Sequence, residues 1–273
     1  MKKPAANKVV WSAADYASNS VVQQAWAREL IAALKLRGDE RILDVGCGDG
    51  KVTAEMARTV SQGSVVGVDA SPQMIEFANR TFPPGKNPNL EFHVMDARKI
   101  QFVRKFDLVF SNAALHWVDD HQAFLSGAAA VLRPGGRLTV SCGGKGNAHD
   151  VFLALRPEMR LKRWREFFRK MEAPYFFHSP EEYKKWLPRF GFETRNIKLT
   201  PKDATYPGPE GFAGWLRTTW MPYTQRVPEA QREEFIASVV ERYVAKHPVD
   251  AKGLVHVRMV RLEIDAIKLR EDK

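Results

Sequence analysis

Residues 42–53 read ILDVGCGDGKVT. The apolar run from Ile42 to Val45 has the length and composition of a buried strand, and a helix-like segment resumes at Lys51. Between them lie Gly46, Gly48 and Gly50, with Asp44 and Asp49 beside them. A structural turn needs about one glycine. Three in alternation predict a place where something comes close to the backbone.

Outward from this turn the chain alternates two kinds of segment. RILDV (41–45), SVVGVD (64–69), LEFHVMD (90–96), FDLVFSN (106–112) and GRLTVSC (136–142) read as strands. KVTAEMARTV (51–60), SPQMIEFANRTF (71–82) and DDHQAFLSGAAAVLR (119–133) read as helices, the second with Ser71 as N-cap and Pro72 in its first turn. Residues 20–36 carry Val22, Trp26, Leu30 and Leu34 near one helical stripe. Strands and helices in this rhythm predict an α/β fold with a mostly parallel, Rossmann-like sheet and helices on both faces. Ligands of such sheets bind at the carboxyl ends of the strands, beside the first one.

After Cys142 the rhythm changes. Residues 147–189 and 211–247 read as helical and aromatic-rich, whereas RNIKLT (195–200) and VHVRMVRLEIDAIK (255–268) read as strands. The expectation is a seven-stranded sheet finished by an antiparallel pair, with a helical cap (147–189 and 205–250) inserted in the C-terminal half. A cofactor-binding core with an N-terminal lid helix would occupy 1–146. The cap and last two strands would occupy 147–273, as one structural domain with an insertion.

Composition narrows the class. Hydrophobic content of 44% and charged content of 27% are those of a globular domain, not a disordered one. No apolar run reaches the roughly 18 residues of a membrane span, and the N-terminus lacks an apolar signal core. Two cysteines, Cys47 and Cys142, make no disulfide framework. A cytoplasmic protein with no stable membrane insertion is expected. The net charge of +10 is spread along the chain. Its densest stretch, LRPEMRLKRWREFFRK (155–170), reads either as a solvated helix with Trp164, Phe167 and Phe168 packed inward or as a contact for phosphate or membrane. The seven histidines are scattered without ligand spacing, so no metal is expected.

The glycine turn resembles a dinucleotide site, with the acid Asp69 ending the next strand. Yet Asp44 and Asp49 would repel a diphosphate. Acids suit a ligand carrying positive charge, such as a sulfonium with an α-amino group. A third acid, Asp96, ends the third strand and could accept from an adenine amine.

LDVGCGDG, VVGVDASPQMI, VMDAR, FDLVFSNAALHWV and LRPGGRLTV together resemble, in order, the successive motifs of class I S-adenosylmethionine-dependent methyltransferases. The resemblance spans residues 20–145. It implies S-adenosylmethionine as cofactor. It implies Asp44, Gly46 and Gly48 under the methionine part, Asp69 on the ribose hydroxyls, Met74 against the adenine, and Asp96 and Ala97 at the adenine edge. Asn112 would lie along the methionine side; Cys47 and Ala70 complete the set, and Tyr16 with Gln23, or equally Gln24, would form a lid.

SNAALHW (111–117) lacks the Asn/Asp-Pro-Pro-aromatic element of methyltransferases acting on nucleic-acid bases or glutamine. It resembles small-molecule enzymes, especially the trans-aconitate methyltransferase group and more distantly the juvenile hormone acid methyltransferases. Both methylate carboxylates. A carboxylate is already ionised at neutral pH and needs no general base, so alignment and water exclusion suffice. The resemblance implies His116 and Trp117 at the methyl-transfer point, His116 as hydrogen-bond donor to a carboxylate or as base for another acceptor. Arg217 and Arg226 are candidates to grip a polyacid, and Trp220 and Tyr223 to close the pocket. The expected partner is a small organic acid, not nucleic acid. An RNA or protein methyltransferase and a non-catalytic cofactor-binding protein are the alternatives.

Overall fold

A computed structural model describes residues 21–270, with side chains from Trp26 onward. The chain gathers into two compact bodies. The first comprises Ser20–Asn147, Tyr175–Thr200 and the chain from Val260 on; the second comprises Ala148–Pro174 and Pro201–Met259. The expected cap segments thus fall mostly in the second body, but Tyr175–Thr200 belongs to the first.

The first body begins with α1 (Val21–Leu34), β1 (Arg41–Val45), α2 (Lys51–Thr59), β2 (Ser64–Asp69), α3 (Pro72–Thr81) and β3 (Leu90–Val94). It continues through β4 (Phe106–Asn112), α4 (His121–Val131) and β5 (Leu132–Gly143). After α5 (His149–Arg160) and α6 (Pro180–Trp186) come β6 (Phe192–Pro207) and, last, β7 (Leu254–Lys268). The sheet has seven strands in the order β3-β2-β1-β4-β5-β7-β6. β1, β2, β3, β4 and β5 pair in parallel, and β7 runs antiparallel to β5. The order reverses beside β1, so ligand-binding loops are expected at the ends of β1 and β4.

Period-2 alternation explains the two-faced core. Leu43, Val66, Val68, Val109 and Val140 pack on one face with Phe124, Leu125 and Val131 of α4. Ile42, Val65, Leu108 and Phe110 pack on the other with Met56, Ile75 and Phe92. α3 starts as its sequence predicts, the Ser71 hydroxyl accepting from Met74 N. β5 starts earlier than its glycines suggested, at Leu132.

The second body holds α5, then α7 (Gly208–Thr219), α8 (Met221–Thr224) and α9 (Glu229–Lys246). Its core is aromatic: Trp164 and Phe168 pack on Phe235, and Phe212 on Tyr243. The basic stretch 155–170 therefore turns Trp164 and Phe168 inward, and Arg163 pairs with Glu234 at 2.7 Å.

The glycine turn has a steric cause inside the protein. A Cβ on Gly46 would stand 2.1 Å from Ala114 Cβ, and one on Gly50 would stand 2.7 Å from the Phe92 ring. Both have φ of 79°. Two of the three glycines are thus required by neighbouring protein atoms, where the sequence pointed to a ligand. Gly46→Ala is expected to destabilise the fold by about 3 kcal/mol, combining overpacking with a left-handed backbone cost. Urea unfolding of the variant against the parent measures it.

Candidate active site

The ends of β1 and β2 are wired together. The amides of Gly46 and Cys47 both donate to Val68 O, at 2.7 and 3.0 Å. Asp69 closes the arrangement: Oδ2 accepts from Gly48 N at 3.0 Å and Oδ1 from Ser71 N at 2.9 Å. One carboxylate thereby fixes both the glycine turn and the entry to α3.

Asp44 is buried, and its Oδ2 accepts from the buried Thr53 hydroxyl at 2.7 Å. Burial pushes its pKa up to about 7; the Thr53 donor offsets this, and the Asp69 charge adds to it. Burial likewise raises the Asp69 pKa, against the two amide donors. Asp49 is buried beside them, with Oδ1 accepting from Lys51 N and Oδ2 3.1 Å from Lys51 Nζ. The Cys47 thiol is pushed well up, first by burial and then by Asp44 and Asp69, so it is not a reactive thiolate.

This shelf of desolvated acids suits a cation, because a cation relieves both desolvation and mutual repulsion. It fits S-adenosylmethionine, which when bound brings a sulfonium and an ammonium. Protons and the cation then compete for Asp44. Cofactor affinity is expected to fall as pH drops below 7 and binding to release protons, which calorimetry in buffers of different ionisation enthalpy counts.

Asp96 departs from the other two acids. It is half-buried, and both its oxygens accept from Arg98, the shortest contact being 2.6 Å. Arg98 holds its pKa below the ordinary range. The electrostatic shelf therefore rests on Asp44 and Asp69, with Asp49, and not on three equivalent strand-end acids. Asp96 also caps the turn Ala97–Lys99. Met74 is buried and Ala70 exposed. Tyr16 lies outside the described residues, as does the side chain of Gln23.

The end of β4 carries the other half of the site. Ala113 has a left-handed backbone (φ 56°), and its amide donates to Ser141 O at 2.8 Å. This bend leads into the turn Leu115–Trp117. Gly143 N donates to His116 Nδ1 at 3.3 Å, and His116 O accepts from Phe176 N at 2.9 Å. His116 is half-buried as a residue, and burial of the ring, then Arg261 and His121, push its pKa down to about 3. A backbone amide can only donate, so Nδ1 is the bare nitrogen and the neutral ring carries its proton on Nε2. His116 is therefore a donor. With Nδ1 taken by Gly143 N–H, the donor role is the one of the two considered for it that this arrangement supports.

Residues the sequence reading missed complete this wall. Tyr175 and Phe177 stack at 5.5 Å, and Trp117 lies 4.8 Å from Tyr175. A Cβ on Gly143 would meet the Phe177 ring at 2.7 Å, so glycine there admits the ring. The aromatic run YFFH (175–178) was visible in the sequence; its partner on β4 was not. Arg261 of β7 is buried and donates to Asn112 Oδ1 (3.0 Å), Ser141 O (2.6 Å) and Ser141 Oγ (3.0 Å). Its guanidinium lies 5.6 Å from the centre of the Trp26 ring.

The four acceptor-binding candidates lie in the second body. Arg217 makes a two-pronged contact with Glu233, and Arg226 Nε donates to Phe167 O at 2.8 Å. Trp220 and Tyr223 are buried and pack on Phe152. Among the described residues no group of three or more His, Cys, Asp or Glu is placed to hold a metal. No helix there is long and apolar enough to cross a membrane.

Comparison with known proteins matches residues 42–136 to a methyltransferase domain family. An uncharacterized methyltransferase of Schizosaccharomyces pombe is 32% identical over 197 residues, covering 69% of this chain and 72% of that protein. A trans-aconitate 2-methyltransferase of Deinococcus radiodurans is 30% identical over 237 residues, covering 84% and 88%. Among solved structures, the YcgJ protein of Bacillus subtilis superposes with a TM-score of 0.60 at 17% identity, covering 91% of this chain and all of that one, and so shares the fold. The strand order, the acidic shelf under the glycine turn and these relatives agree: the chain belongs to the class I S-adenosylmethionine-dependent methyltransferases.

Proposed function

We propose that this protein transfers a methyl group from S-adenosylmethionine to a carboxylate oxygen of a small organic acid. The observation that carries the reading is the state of His116. Its Nδ1 lone pair is taken by Gly143 N–H, so the end of β4 presents a donor and no base there. Phenols and thiols arrive with a proton to lose, whereas a carboxylate, with a pKa of about 4, does not. S-adenosylmethionine supplies an electrophilic methyl carbon on a sulfonium. The chain's own part is then to bind the acid, orient one oxygen in line and keep water away. His116 Nε2–H supports the oxygen that is not reacting, and Trp117, Tyr175 and Phe177 exclude water. Asp44, Asp69 and Asn112 hold the cofactor, with Met74 and the Asp96–Ala97 corner at its adenine. A relative named trans-aconitate 2-methyltransferase, aligned over most of its length, supports the acid class.

The basic balance gives the RNA reading less support, since Trp164 and Phe168 of the densest stretch are core residues and Arg163 is paired. Arg217, Arg226, Trp220 and Tyr223 are engaged within their own body, so the acceptor reading leans on the β4 end instead. The test is transfer of a labelled methyl to a panel of acids including trans-aconitate, with phenols, amines and bulk RNA alongside. A methyl ester releases labelled methanol in mild alkali. Label that enters only RNA or amines, or that resists alkali, overturns the reading.

A further inference from the structure

We propose that Arg261 is a positioning residue that makes Asn112 and His116 a pair of hydrogen-bond donors for a ligand carboxylate. The carboxylate belongs to the acceptor acid or to the methionine end of the cofactor. The inference rests on the reading of this end of the sheet as the methyl-transfer site.

The argument begins with what each atom can do. Arginine has donors and no acceptor. Because Arg261 Nη2 lies 3.0 Å from the Asn112 side chain, the atom facing it must be Oδ1. The amide is thereby locked in one orientation, and its NH2 group becomes the end left to a ligand. Asn112 makes no hydrogen bond through Nδ2 to another described residue. His116 is fixed by the same logic from the other side: Gly143 N–H occupies Nδ1, and the proton sits on Nε2. Nε2 likewise makes no hydrogen bond to another described residue.

Arg261 is itself rigidly held. Nε and Nη2 both donate to Ser141 Oγ, at 3.2 and 3.0 Å, and Nη2 donates to Ser141 O as well. The groups around the His116 ring are Arg261 from β7, His121 from α4, the Trp117 ring beside it, and the Tyr175 and Phe177 rings from the 175–178 segment. None of them is an anion that would favour imidazolium, and the guanidinium opposes it. One buried cation thus does two things. It orients an amide by contact, and its field adds to the burial that keeps the imidazole neutral. Two neutral donors on the 112–116 segment, backed by a cation, read an anion. An acceptor acid carries more negative charge in its ground state than in the transition state, where its oxygen bonds to the methyl carbon while the carbon–sulfur bond breaks and its electrons neutralise the sulfonium. The arrangement therefore acts chiefly on acceptor binding.

The test uses the full chain. Histidine labelled with nitrogen-15 is expected to show His116 as the Nε2–H tautomer, without titration between pH 5 and 8. Arg261→Met should raise the KM for trans-aconitate about ten- to a hundredfold, the range of a charge-backed hydrogen bond, with kcat changed only a few-fold. Arg261→Lys, which restores a cationic donor, should recover most of the loss. If Arg261→Met does not fold, Asn112→Asp decides. Its carboxylate keeps an acceptor for Arg261 but loses the NH2 group, and KM should rise with melting temperature held. Affinities for S-adenosylhomocysteine and for 5′-methylthioadenosine, which lacks the amino-acid end, separate the two sources. A loss for the former alone assigns the carboxylate to the cofactor; unchanged affinities with a raised acceptor KM assign it to the acid. Unchanged KM and cofactor affinity in both variants overturn the proposal, as does a His116 that is the Nδ1–H tautomer or titrates above pH 6. Failure of the parent protein to methylate any acid would count against the proposed function, while the spectra and the two nucleoside affinities still decide this one.

Discussion

Asp69→Ala is expected to weaken S-adenosylmethionine binding by 10- to 100-fold, on the order of 1–3 kcal/mol for a lost charge-assisted hydrogen bond. The carboxylate has two jobs to lose. It holds Gly48 N and Ser71 N, and it is the strand-end acid proposed to meet the ribose. A cycle with a 2′-deoxy cofactor analogue separates them. If Asp69 meets the ribose, the loss on mutation shrinks for the deoxy analogue; if it only braces the turn, the loss is equal for both. Calorimetry showing unchanged affinity for the normal cofactor would remove the ribose assignment. Asp44→Asn should behave differently. It removes a desolvated charge repelled by Asp69, so the cofactor-free protein should gain roughly 2 kcal/mol at pH 8 while cofactor affinity falls. The sign follows from the raised pKa. The unfolded carboxyl ionises near 4 and the folded one near 7, so stability is lost as pH rises through that window.

His121→Ala should cost about 3 kcal/mol of stability, among the largest effects of any single change. The ring is buried, with Nδ1 2.5 Å from Tyr183 Oη and Nε2 2.7 Å from Leu115 O. A carbonyl only accepts, so Nε2 carries the proton and the tyrosine hydroxyl donates to Nδ1. Removal orphans two buried polar groups and opens a cavity. Burial, then His178, pushes the His121 pKa down to about 4. Here the sign is opposite to Asp44. The unfolded imidazole takes a proton near 6.5 and the folded one resists until about 4. Stability is therefore lost as pH falls through that window, at about 1.4 kcal/mol per unit. Urea unfolding at pH 7.5 and pH 5 should show the parent losing about 2 kcal/mol on this account, with part of that slope absent in the variant. Equal slopes would show that His121 does not resist protonation.

Much of the first body was readable in the chain, because buried parallel strands are short apolar runs and the acids and glycines fall at their ends. What escaped were pairings between distant segments. His121 stands at a helix start with no mark of burial in the sequence around it; its partner Tyr183 is a long way along the chain, and no local pattern joins them. Arg261 left a faint trace. The apolar positions of β7 run through Val255 and Val257, then change phase to Leu262, Ile264 and Ala266. Arg261 keeps the earlier parity, so the sequence placed an arginine in a buried register. The glycine turn was located correctly but explained differently, since the atoms crowding Gly46 and Gly50 are the protein's own. The asparagine at the end of β4 was legible as a position, and its donor orientation only from the arginine beside it.

The near-contact between Gly46 and Ala114 has an evolutionary corollary. The glycine turn after β1 and the bend after β4, proposed to serve the methyl donor and the acceptor, share one small volume, so neither residue can enlarge without displacing the other. Homologues are expected to keep that junction small and to vary the rim instead, at positions such as Trp117, Tyr175 and Phe177, which a sequence alignment checks. Engineering a new acceptor preference should start from those rings, with the junction as its fixed hinge pin.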